Sequence, residues 1–440
     1  MTDPADATAR AAALDALGCP EGPISFDGLT AQHLAERFGT PLYVHSATAL
    51  RQRIHSLRRA FGNEVELLYA LKANPLAALV QRAHAKGLGA ELASEGELEV
   101  ALRVGVPGRR MQFAGPGKSE ADLCRAIEVG ACLNLESESE AERVRTIAAI
   151  LGRPARVQIR VNPMRPTSGA RLRMADVSSR FGIDRPRVGP LAKQLDEASE
   201  VELLGLHVYG GSQTFDGGSW LEAARDVDAL ANDIQTEHGV RLRQLNLGGG
   251  FGWPVYDGDP QFDLEDTGVR FREFEASTDR ALTIELGRYL CAGGGVYLTR
   301  VIDLKRSGNR MHAVLDGGLH QCAAASGFGA SLRRAYAVVR ADDPNPTEKQ
   351  TMSLGGPLCT PADRLGRDLR IAPLDVGDIV AVLNVGAYGL TFSPTEFLSH
   401  ARPAEVVVDE GQARLARRRG TPEDALRDQL LDAPPNPNPS

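Results

Sequence analysis

Long apolar runs are missing from this sequence, and so are the marks of export. No segment approaches the roughly 20 apolar residues that a helix needs to cross a bilayer. The first residues include Asp3 and Asp6 and lack the basic and then apolar pattern of a secretory signal. We therefore expect a cytoplasmic protein that has no membrane partner.

An excess of positive charge and closely paired cysteines are missing as well. The chain has 50 Lys and Arg residues against 57 Asp and Glu residues, a formal net charge of −7. Because a nucleic-acid site needs a basic surface, we expect no nucleic-acid partner. The six cysteines include no Cys-x-x-Cys pair, so we expect neither disulfides nor a metal site.

The chain does contain a regular alternation of strand-like and helix-like segments. Its 440 residues, 42% of them hydrophobic, are enough for two domains. Helix-like segments with spaced apolar positions separate the strand-like runs, as at 95–104, 120–129, 136–151 and 220–237. Eight strands arranged in this way predict an α/β fold of the (β/α)8 TIM barrel type. The predicted strands are 65–71, 89–93, 111–114, 131–135, 156–162, 202–208, 242–247 and 281–285.

The pattern changes after Leu290, where Gly and Pro turns separate strand-like runs without regular helices. This texture predicts a second, mostly β domain. Its predicted strands are 295–304, 311–315, 379–383 and 404–408. A helix with Pro422 at its start is predicted over 421–431. The predicted division of the chain is an N-terminal segment 1–35 that could pack on the β domain, a barrel 36–290, a β domain 291–425 and a disordered tail 426–440.

Lys72 ends the first predicted barrel strand, and Asn74-Pro75 then breaks that strand. A solvated lysine at a loop is one interpretation, and it is favoured for a lone lysine because buried lysines are rare. The alternative is a lysine that points into a pocket, has a lowered pKa and forms a Schiff base. Features at the ends of other strands decide between the two.

The ends of strands six, seven and eight carry unusual residues. His207 and Tyr209 precede a Gly-Gly-Ser-Gln run, Gly248–Gly250 follows strand seven, and Glu285 ends strand eight. The carboxyl ends of barrel strands meet at one mouth, so these groups are expected to lie near Lys72. Successive glycines let backbone N–H groups approach a phosphate, although a triple glycine alone is more often a turn.

Glu285 could be a surface carboxylate or a partner of Arg288, but a carboxylate facing a protonated ring nitrogen fits the set better. A lysine, a phosphate turn and such an acid together indicate pyridoxal phosphate (PLP), an electron sink for carbanions. His207 and Tyr209 would alone be a core histidine and a half-buried aromatic residue. In this setting either ring could stack on the cofactor or polarise its phenolic oxygen.

Six motifs in order carry a resemblance to a known family. They are YALKAN at 69–74, HVYGGSQ at 207–213, GGGFG at 248–252, ELGR at 285–288, GPLCTPAD at 356–363 and GAYG at 386–389. Through them the chain resembles the fold-type III PLP-dependent decarboxylases, the group of ornithine and diaminopimelate decarboxylases. The resemblance runs from about Phe26 to Val408 and implies an alanine-racemase-like barrel followed by a β domain.

The resemblance implies roles residue by residue. Lys72 would hold PLP, Glu285 would pair with its ring nitrogen, and Glu91 and His207 would lie near the cofactor. Cys359, supplied by a partner subunit, would return the proton after CO2 leaves, so the family's head-to-tail homodimer with shared sites is expected. The implied phosphate contacts are Ser212, Gly248, Gly249, Gly250, Gly287, Arg288 and Tyr388. The implied substrate contacts are Arg288, Cys359, Thr360, Asp363 and Tyr388.

Two departures from the family pattern bear on the substrate. Diaminopimelate decarboxylases have a glutamate that binds the distal amine where this chain has Thr360, and a stacking histidine where it has Tyr209. The motif sequences are similar to those of a divergent subgroup of the family. This subgroup includes decarboxylases found beside exosortase systems and decarboxylases that act on aminoacyl groups tethered to acyl-carrier proteins. A carrier-tethered substrate is therefore predicted, with Arg333 and Arg334 as candidate docking residues, although a solvated arginine pair is the favoured reading of those two.

Other functions stay open at this point. A free amino acid, diaminopimelate included, is the alternative substrate. An amino-acid racemase is the alternative activity, since the same barrel serves both, but a racemase of this fold is expected to have a weakly acidic ring partner instead of Glu285. A non-catalytic homologue is disfavoured because Lys72, Glu285 and Cys359 are all present.

Overall fold

A computed structural model describes residues 8–162, 179–327 and 336–430, together with the backbone of residues 172 and 173. Within these residues, eight parallel strands close into a barrel, as predicted, and each lies within two residues of its predicted ends. The strands are Glu66–Ala70, Gly89–Leu92, Met111–Phe113, Cys132–Leu135, Ala155–Val161, Val201–Val208, Gln244–Gly249 and Ala281–Leu286. The last strand pairs with the first, with Glu285 opposite Leu68, which closes the barrel.

Helices surround the barrel, and their ends follow local sequence signals. Ser119 and Asp122 form a capping box at the start of one helix, and Gly130 ends it in the left-handed conformation that glycine adopts most easily. The four helices named from the sequence are all present. The helices around the barrel are Ala47–Phe61, Ala77–Ala85, Glu95–Arg103, Glu120–Val129, Glu138–Leu151, Arg185–Asp196, Gly217–His238, Leu264–Glu275 and Arg288–Cys291.

A second sheet lies C-terminal to the barrel and contains all four strands predicted for it. One of its members comes from far upstream: Leu42–Ser46 pairs with Gly295–Ser307 on one side and with Ala404–Asp409 on the other. This strand falls inside the range 36–290 that the sequence assigned to the barrel. Its apolar residues are buried on both faces, which suits the centre of a sheet, so local pattern does not reveal which sheet it joins. The other strands of this sheet are Arg310–Leu315, Val338–Arg340, Gln350–Gly355, Arg364–Ile371, Ile379–Val382 and Gln412–Arg417.

The N-terminal residues pack on this second sheet. The helices Thr8–Leu17 and Ala31–Phe38 place Leu14, Leu17 and Leu34 in one buried cluster with strand residues such as Val296. Thr30 caps the second of these helices by accepting a hydrogen bond from the His33 backbone N–H. Two short strand pairs complete the described structure, Ser25–Phe26 with Leu29–Thr30 and Leu172–Arg173 with Gly211–Ser212.

The helix predicted over 421–431 is wrong in type and length. Pro422–Leu426 forms a short 3-10 helix, and Arg427 then has an extended backbone. The predicted start is present, because Thr421 and Asp424 form a capping box. None of the residues in this element is buried, so no apolar contact supports a longer helix. The rest of the predicted tail, residues 431–440, lies outside the described residues, and within the described part of the chain no helix is long and apolar enough to cross a bilayer.

Candidate active site

Lys72 lies in a tight turn at the mouth of the barrel. The first barrel strand stops at Ala70, and Leu71–Ala73 forms one 3-10 turn before Asn74. The Tyr69 hydroxyl donates a hydrogen bond of 2.8 Å to the Asn74 carbonyl, which closes the turn from below. The strand end and the turn together aim the Lys72 side chain away from the apolar core.

A loop of the second sheet domain clamps this turn. The Asn74 side-chain amide donates to the Gly386 carbonyl at 2.8 Å, and the Tyr388 backbone N–H donates to the Ala73 carbonyl at 2.7 Å. Tyr388 makes this bond with a φ of 55°, a left-handed conformation that non-glycine residues seldom adopt. The position of Lys72 therefore depends on both domains.

The Lys72 amine lies between two buried carboxylates. Its Nζ is 2.9 Å from Oε1 of Glu91, whose side chain is 1% exposed, while that of Lys72 is 37% exposed. Burial by itself would lower the pKa of Lys72, but the charges of Glu91 and Glu285 outweigh that effect and raise the pKa. The sequence-based expectation of a lowered lysine pKa is therefore wrong.

Glu285 is the second buried carboxylate near Lys72. The Asn246 side-chain amide donates a 2.8 Å hydrogen bond to its Oε1, and the His207 ring nitrogen Nε2 is 3.3 Å from the same atom. Burial would raise the pKa of Glu285, but His207, Lys72 and the Asn246 bond outweigh it, so the pKa is lowered. The pKa of Glu91, by contrast, is raised, because burial and the charge of Glu285 outweigh the attraction of Lys72.

His207 and Tyr209 occupy different places relative to Lys72. His207 is 1% exposed, and neither of its ring nitrogens has a hydrogen bond of good geometry. Tyr209 turns its ring toward the lysine, with Nζ 5.5 Å from the ring centroid, and its hydroxyl is 2.9 Å from the Ser212 hydroxyl. Tyr209 therefore presents an aromatic face beside Lys72, whereas His207 lies beside Glu285.

The glycine run at the end of strand seven has no room for side chains. A Cβ at Gly249 would lie 1.6 Å from the Glu285 carbonyl oxygen, and one at Gly250 would lie 1.9 Å from the Gly211 carbonyl oxygen. Gly250 also has a φ of 86°. Gly250 also lines a cavity beside Lys72, so its backbone is exposed there, as a phosphate-binding turn requires.

Arg288 supplies a free donor next to the glycine run. Its Nη1 is buried without a hydrogen-bond partner, and its guanidinium lies 4.6 Å from the ring centroid of Tyr388. Arg288 follows Gly287, whose backbone approaches Ala73 so closely that a Cβ would be 3.0 Å from the alanine methyl group. A buried N–H without a partner is costly unless a ligand satisfies it, and a phosphate oxygen would do so.

Two adjoining cavities contain these groups. The larger has a volume of about 380 Å³, and the smaller, of about 30 Å³, extends past Lys72 toward the glycine run. Side chains that line the larger one include Lys72, Glu91, Arg160, His207, Tyr209 and Glu285. Residues that line the smaller one include Ser212, Gly250, Gly287, Arg288 and Tyr388.

The loop 356–363 lines neither of these two cavities of its own chain. Cys359 is exposed, and Thr360 uses its hydroxyl to accept a bond from the Ala362 backbone N–H. The Asp363 carboxylate is buried and accepts hydrogen bonds from the backbone N–H groups of Leu319 at 2.7 Å and Leu358 at 2.9 Å. Asp363 therefore shapes the loop that presents Cys359 at the surface, and both of its oxygens are engaged within its own chain.

The sequence reasoning missed several buried polar side chains inside the barrel. Arg160 lines the larger cavity and is held by Glu136 at 2.6 Å, and Asn246 contacts Glu285 from strand seven. Gln112 and Asn134 lie in the same interior. A signal was present, because Arg160 and Asn246 are polar residues that alternate with apolar ones inside otherwise buried strands.

Comparisons with known proteins agree with this geometry. The model of the pyridoxal-binding domain of pyridoxal-dependent decarboxylases matches residues 47–292. The L-glutamyl-[BtrI acyl-carrier protein] decarboxylase of Niallia circulans is 34% identical over 408 residues, which cover 90% of this chain and 95% of that protein. The diaminopimelate decarboxylase of Aquifex aeolicus is 30% identical over 401 residues, 91% of this chain and 94% of that protein.

Solved structures agree as well. The diaminopimelate decarboxylase of M. jannaschii in co-complex with L-lysine aligns with a TM-score of 0.85 at 28% identity, covering 93% of this chain and 96% of that one. The corresponding enzyme of Helicobacter pylori, also complexed with L-lysine, aligns with a TM-score of 0.83 at 26% identity, covering 90% and 98%.

The residues present fit PLP. The unpartnered Arg288 nitrogen and the crowded glycine run suit a phosphate, and the buried Glu285 anion suits a protonated ring nitrogen. PLP, when bound, supplies an electron sink for the loss of CO2 from an amino acid. The family model covers more than half of the chain and the relatives match nearly all of it, so this protein belongs to the pyridoxal phosphate-dependent amino-acid decarboxylases.

Proposed function

We propose that this decarboxylase acts on an aminoacyl group carried by an acyl-carrier protein. The observation that carries the proposal is the match over nearly its whole length with a relative whose named substrate is a glutamyl group on a carrier protein. Thr360 supports it, because a neutral side chain there cannot neutralise the distal amine of free diaminopimelate. The candidate docking residues Arg333 and Arg334 lie outside the described residues.

The chain's own groups have separable tasks in this proposal. Lys72 provides the amine that anchors the cofactor, and Glu285 keeps a proton on the ring nitrogen. Arg288 and the glycine run hold the phosphate, while the Tyr209 ring covers one side of the cavity next to Lys72. The thiol of Cys359 then gives a proton to the α-carbon after CO2 has left.

We further propose that two copies of the chain share each site. Cys359 is exposed and lies outside the cavity walls of its own chain, so a thiol that reaches Lys72 has to come from a second copy. A symmetric pair would bring the loop 356–363 of each chain to the barrel mouth of the other. Asp363 supports this arrangement by holding the loop in one shape.

Mixing two inactive variants tests the shared site. Lys72→Ala protein exchanged with Cys359→Ala protein is expected to recover about a quarter of the parent activity, because half of randomly formed dimers are mixed and each has one intact site. The measurement is CO2 release after subunit exchange, compared with each variant alone.

The matched control for this experiment mixes Lys72→Ala with Glu285→Gln. Both residues line the cavity of one barrel, so no mixed dimer has an intact site and no activity should return. Recovery in the control, or none in the first mixture, would contradict the shared site while leaving the decarboxylase activity itself untouched.

The substrate proposal is tested by parallel incubations of the PLP-loaded protein. Carrier-bound aminoacyl groups, the same amino acids in free form, and free diaminopimelate are supplied separately, and mass spectrometry follows the loss of CO2. We expect kcat/KM to be at least about 100-fold higher for a carrier-bound group, because contacts with the carrier supply binding energy that a free amino acid lacks.

Faster turnover of free diaminopimelate would refute the carrier proposal and favour diaminopimelate decarboxylation, the activity for which the Aquifex aeolicus relative is named. The Thr360→Glu variant serves as the matched comparison, since it places a carboxylate beside Cys359 without touching the cavity of its own chain. Under the carrier proposal this variant should lose turnover of the carrier-bound group and leave PLP binding unchanged.

A further inference from the structure

The Asn246 side chain contacts both the Glu285 carboxylate and the backbone of the glycine run. It is fully buried in strand seven, two residues before Gly248, the first residue of the glycine run. Its Nδ2 donates to Oε1 of Glu285 at 2.8 Å and also to Oε1 of Gln112. Its Oδ1 accepts a 2.9 Å hydrogen bond from the Gly248 backbone N–H. All the hydrogen bonds that the amide can donate are therefore used.

The chemistry of the neighbours fixes the orientation of this amide. A carboxylate without its proton can only accept hydrogen bonds, and a backbone N–H can only donate one. The nitrogen of Asn246 must therefore face Glu285, and its oxygen must face Gly248. Rotation of the amide by half a turn would break both contacts, so the side chain has one stable position.

The bond to Gly248 closes an irregularity in strand seven. Asn246 pairs with Thr283 of strand eight and Gly249 pairs with Glu285, so three steps along one strand match two along the other. This extra residue is a bulge, and Gly248 takes it up with a φ of 61°. The Asn246 oxygen bonds the N–H two residues onward, as in an Asx turn, and so stabilises the bulge.

We propose that Asn246 is a positioning residue that fixes the Glu285 carboxylate and the glycine run relative to one another. These are the groups that fit the two ends of the cofactor, the ring nitrogen and the phosphate. One side chain thus sets the spacing between the ends of the binding site. The inference rests on PLP binding by the family and not on the carrier-bound substrate.

Two substitutions separate the two contacts. Asn246→Asp keeps an oxygen for Gly248 but replaces the donor to Glu285 with a second carboxylate, whereas Asn246→Leu removes both contacts. The charged groups that face Glu285 are His207 from strand six, Lys72 from the turn after strand one and Glu91 from strand two, and neither variant alters them.

The variants are compared by PLP titration of the apo-protein and by the pH dependence of the bound-cofactor absorbance. We expect Asn246→Leu to weaken PLP binding by about tenfold or more, the scale of a lost hydrogen bond to a charged group. Asn246→Asp should weaken PLP binding less than Asn246→Leu does, because it loses the bond to Glu285 but keeps the turn at Gly248. The absorbance transition that follows Glu285 should lie about one pH unit or more higher in Asn246→Asp than in the parent, because a like charge opposes ionisation of Glu285.

Asn134 provides the matched control, since it is an equally buried asparagine in the barrel with no contact to Glu285. Asn134→Asp and Asn134→Leu should bind PLP and titrate like the parent, with the melting temperature as the check on folding. Equal losses at both positions would mean general barrel packing and would overturn the proposal. The proposal would also be overturned if the bound-cofactor absorbance of Asn246→Asp had the same pH dependence as that of the parent. This second result is decisive even if Asn246→Leu does not fold.

Discussion

Replacement of Lys72 by alanine is expected to lower kcat/KM for decarboxylation by about 10⁴-fold or more, the scale of losing a covalent catalytic group. The Lys72 amine is the only lysine nitrogen that lines both described cavities. Without it the cofactor has no covalent anchor between Glu285 and the glycine run. The measurement is CO2 release at saturating PLP, with borohydride reduction and peptide mass spectrometry to locate the cofactor on the parent protein.

Lys72→Arg separates the charge of the lysine from its chemistry. An arginine keeps a cation beside Glu91 and Glu285 but does not form the covalent link. We expect Lys72→Arg to be as inactive as Lys72→Ala while melting close to the parent. In Lys72→Ala, by contrast, no cation remains beside the carboxylate of Glu91, whose side chain is only 1% exposed. Substantial activity in either variant, or cofactor attached to another lysine such as the buried Lys118, would contradict the assignment.

Replacement of Glu285 by glutamine should lower kcat by about 10²- to 10³-fold, the scale of removing one preorganised electrostatic partner. The amide has nearly the same shape as the carboxylate but carries no charge, so it cannot keep a proton on the ring nitrogen. The lowered pKa of Glu285 means that the parent retains this charge at neutral pH and well below it. Steady-state kinetics should show the loss in kcat with KM changed far less, because the charge matters most while CO2 leaves.

Glu285→Asp is the control for this prediction. It keeps the charge but draws it away from Asn246 and His207, so its kcat should fall between those of the parent and Glu285→Gln. Chiral analysis of the recovered substrate in the same experiment tests for racemisation, the alternative activity of this barrel. A Glu285→Gln protein with the parent's kcat would show that no anion is needed at the ring nitrogen.

Much of the barrel was predictable because its signals are local. Apolar runs of strand length, alternating with amphipathic segments, placed all eight strands within two residues of their ends. The close backbone approach at the glycine run was predictable as well, since only glycine lacks the Cβ that would lie 1.6 Å from a neighbouring carbonyl oxygen. The helix predicted over 421–431 failed because its first turn has the right cap but no buried face.

The charge of Lys72 was not predictable from its neighbours in the chain. Local reasoning weighed only the cost of burying an ammonium group, which lowers a lysine pKa. The structure adds Glu91 from strand two and Glu285 from strand eight, and their charges reverse the sign. Asn246 was missed for the same reason, since its role depends on Glu285 and Gln112, which lie on other strands.

Backbone sterics and alternation of apolar residues were enough to specify the order of the strands, the glycine turn at the end of strand seven and the lysine at the end of strand one. These properties depend on residues a few positions apart. The pairing of neighbouring strands, including closure of strand eight onto strand one, decided that Lys72 lies near two carboxylates and that Asn246 contacts Glu285. The same folding placed Leu42–Ser46 in the second sheet and left Cys359 at the surface. Electrostatic and hydrogen-bond energies depend on distances in space, and residues far apart in the chain acquire those distances only when the barrel and the second sheet assemble.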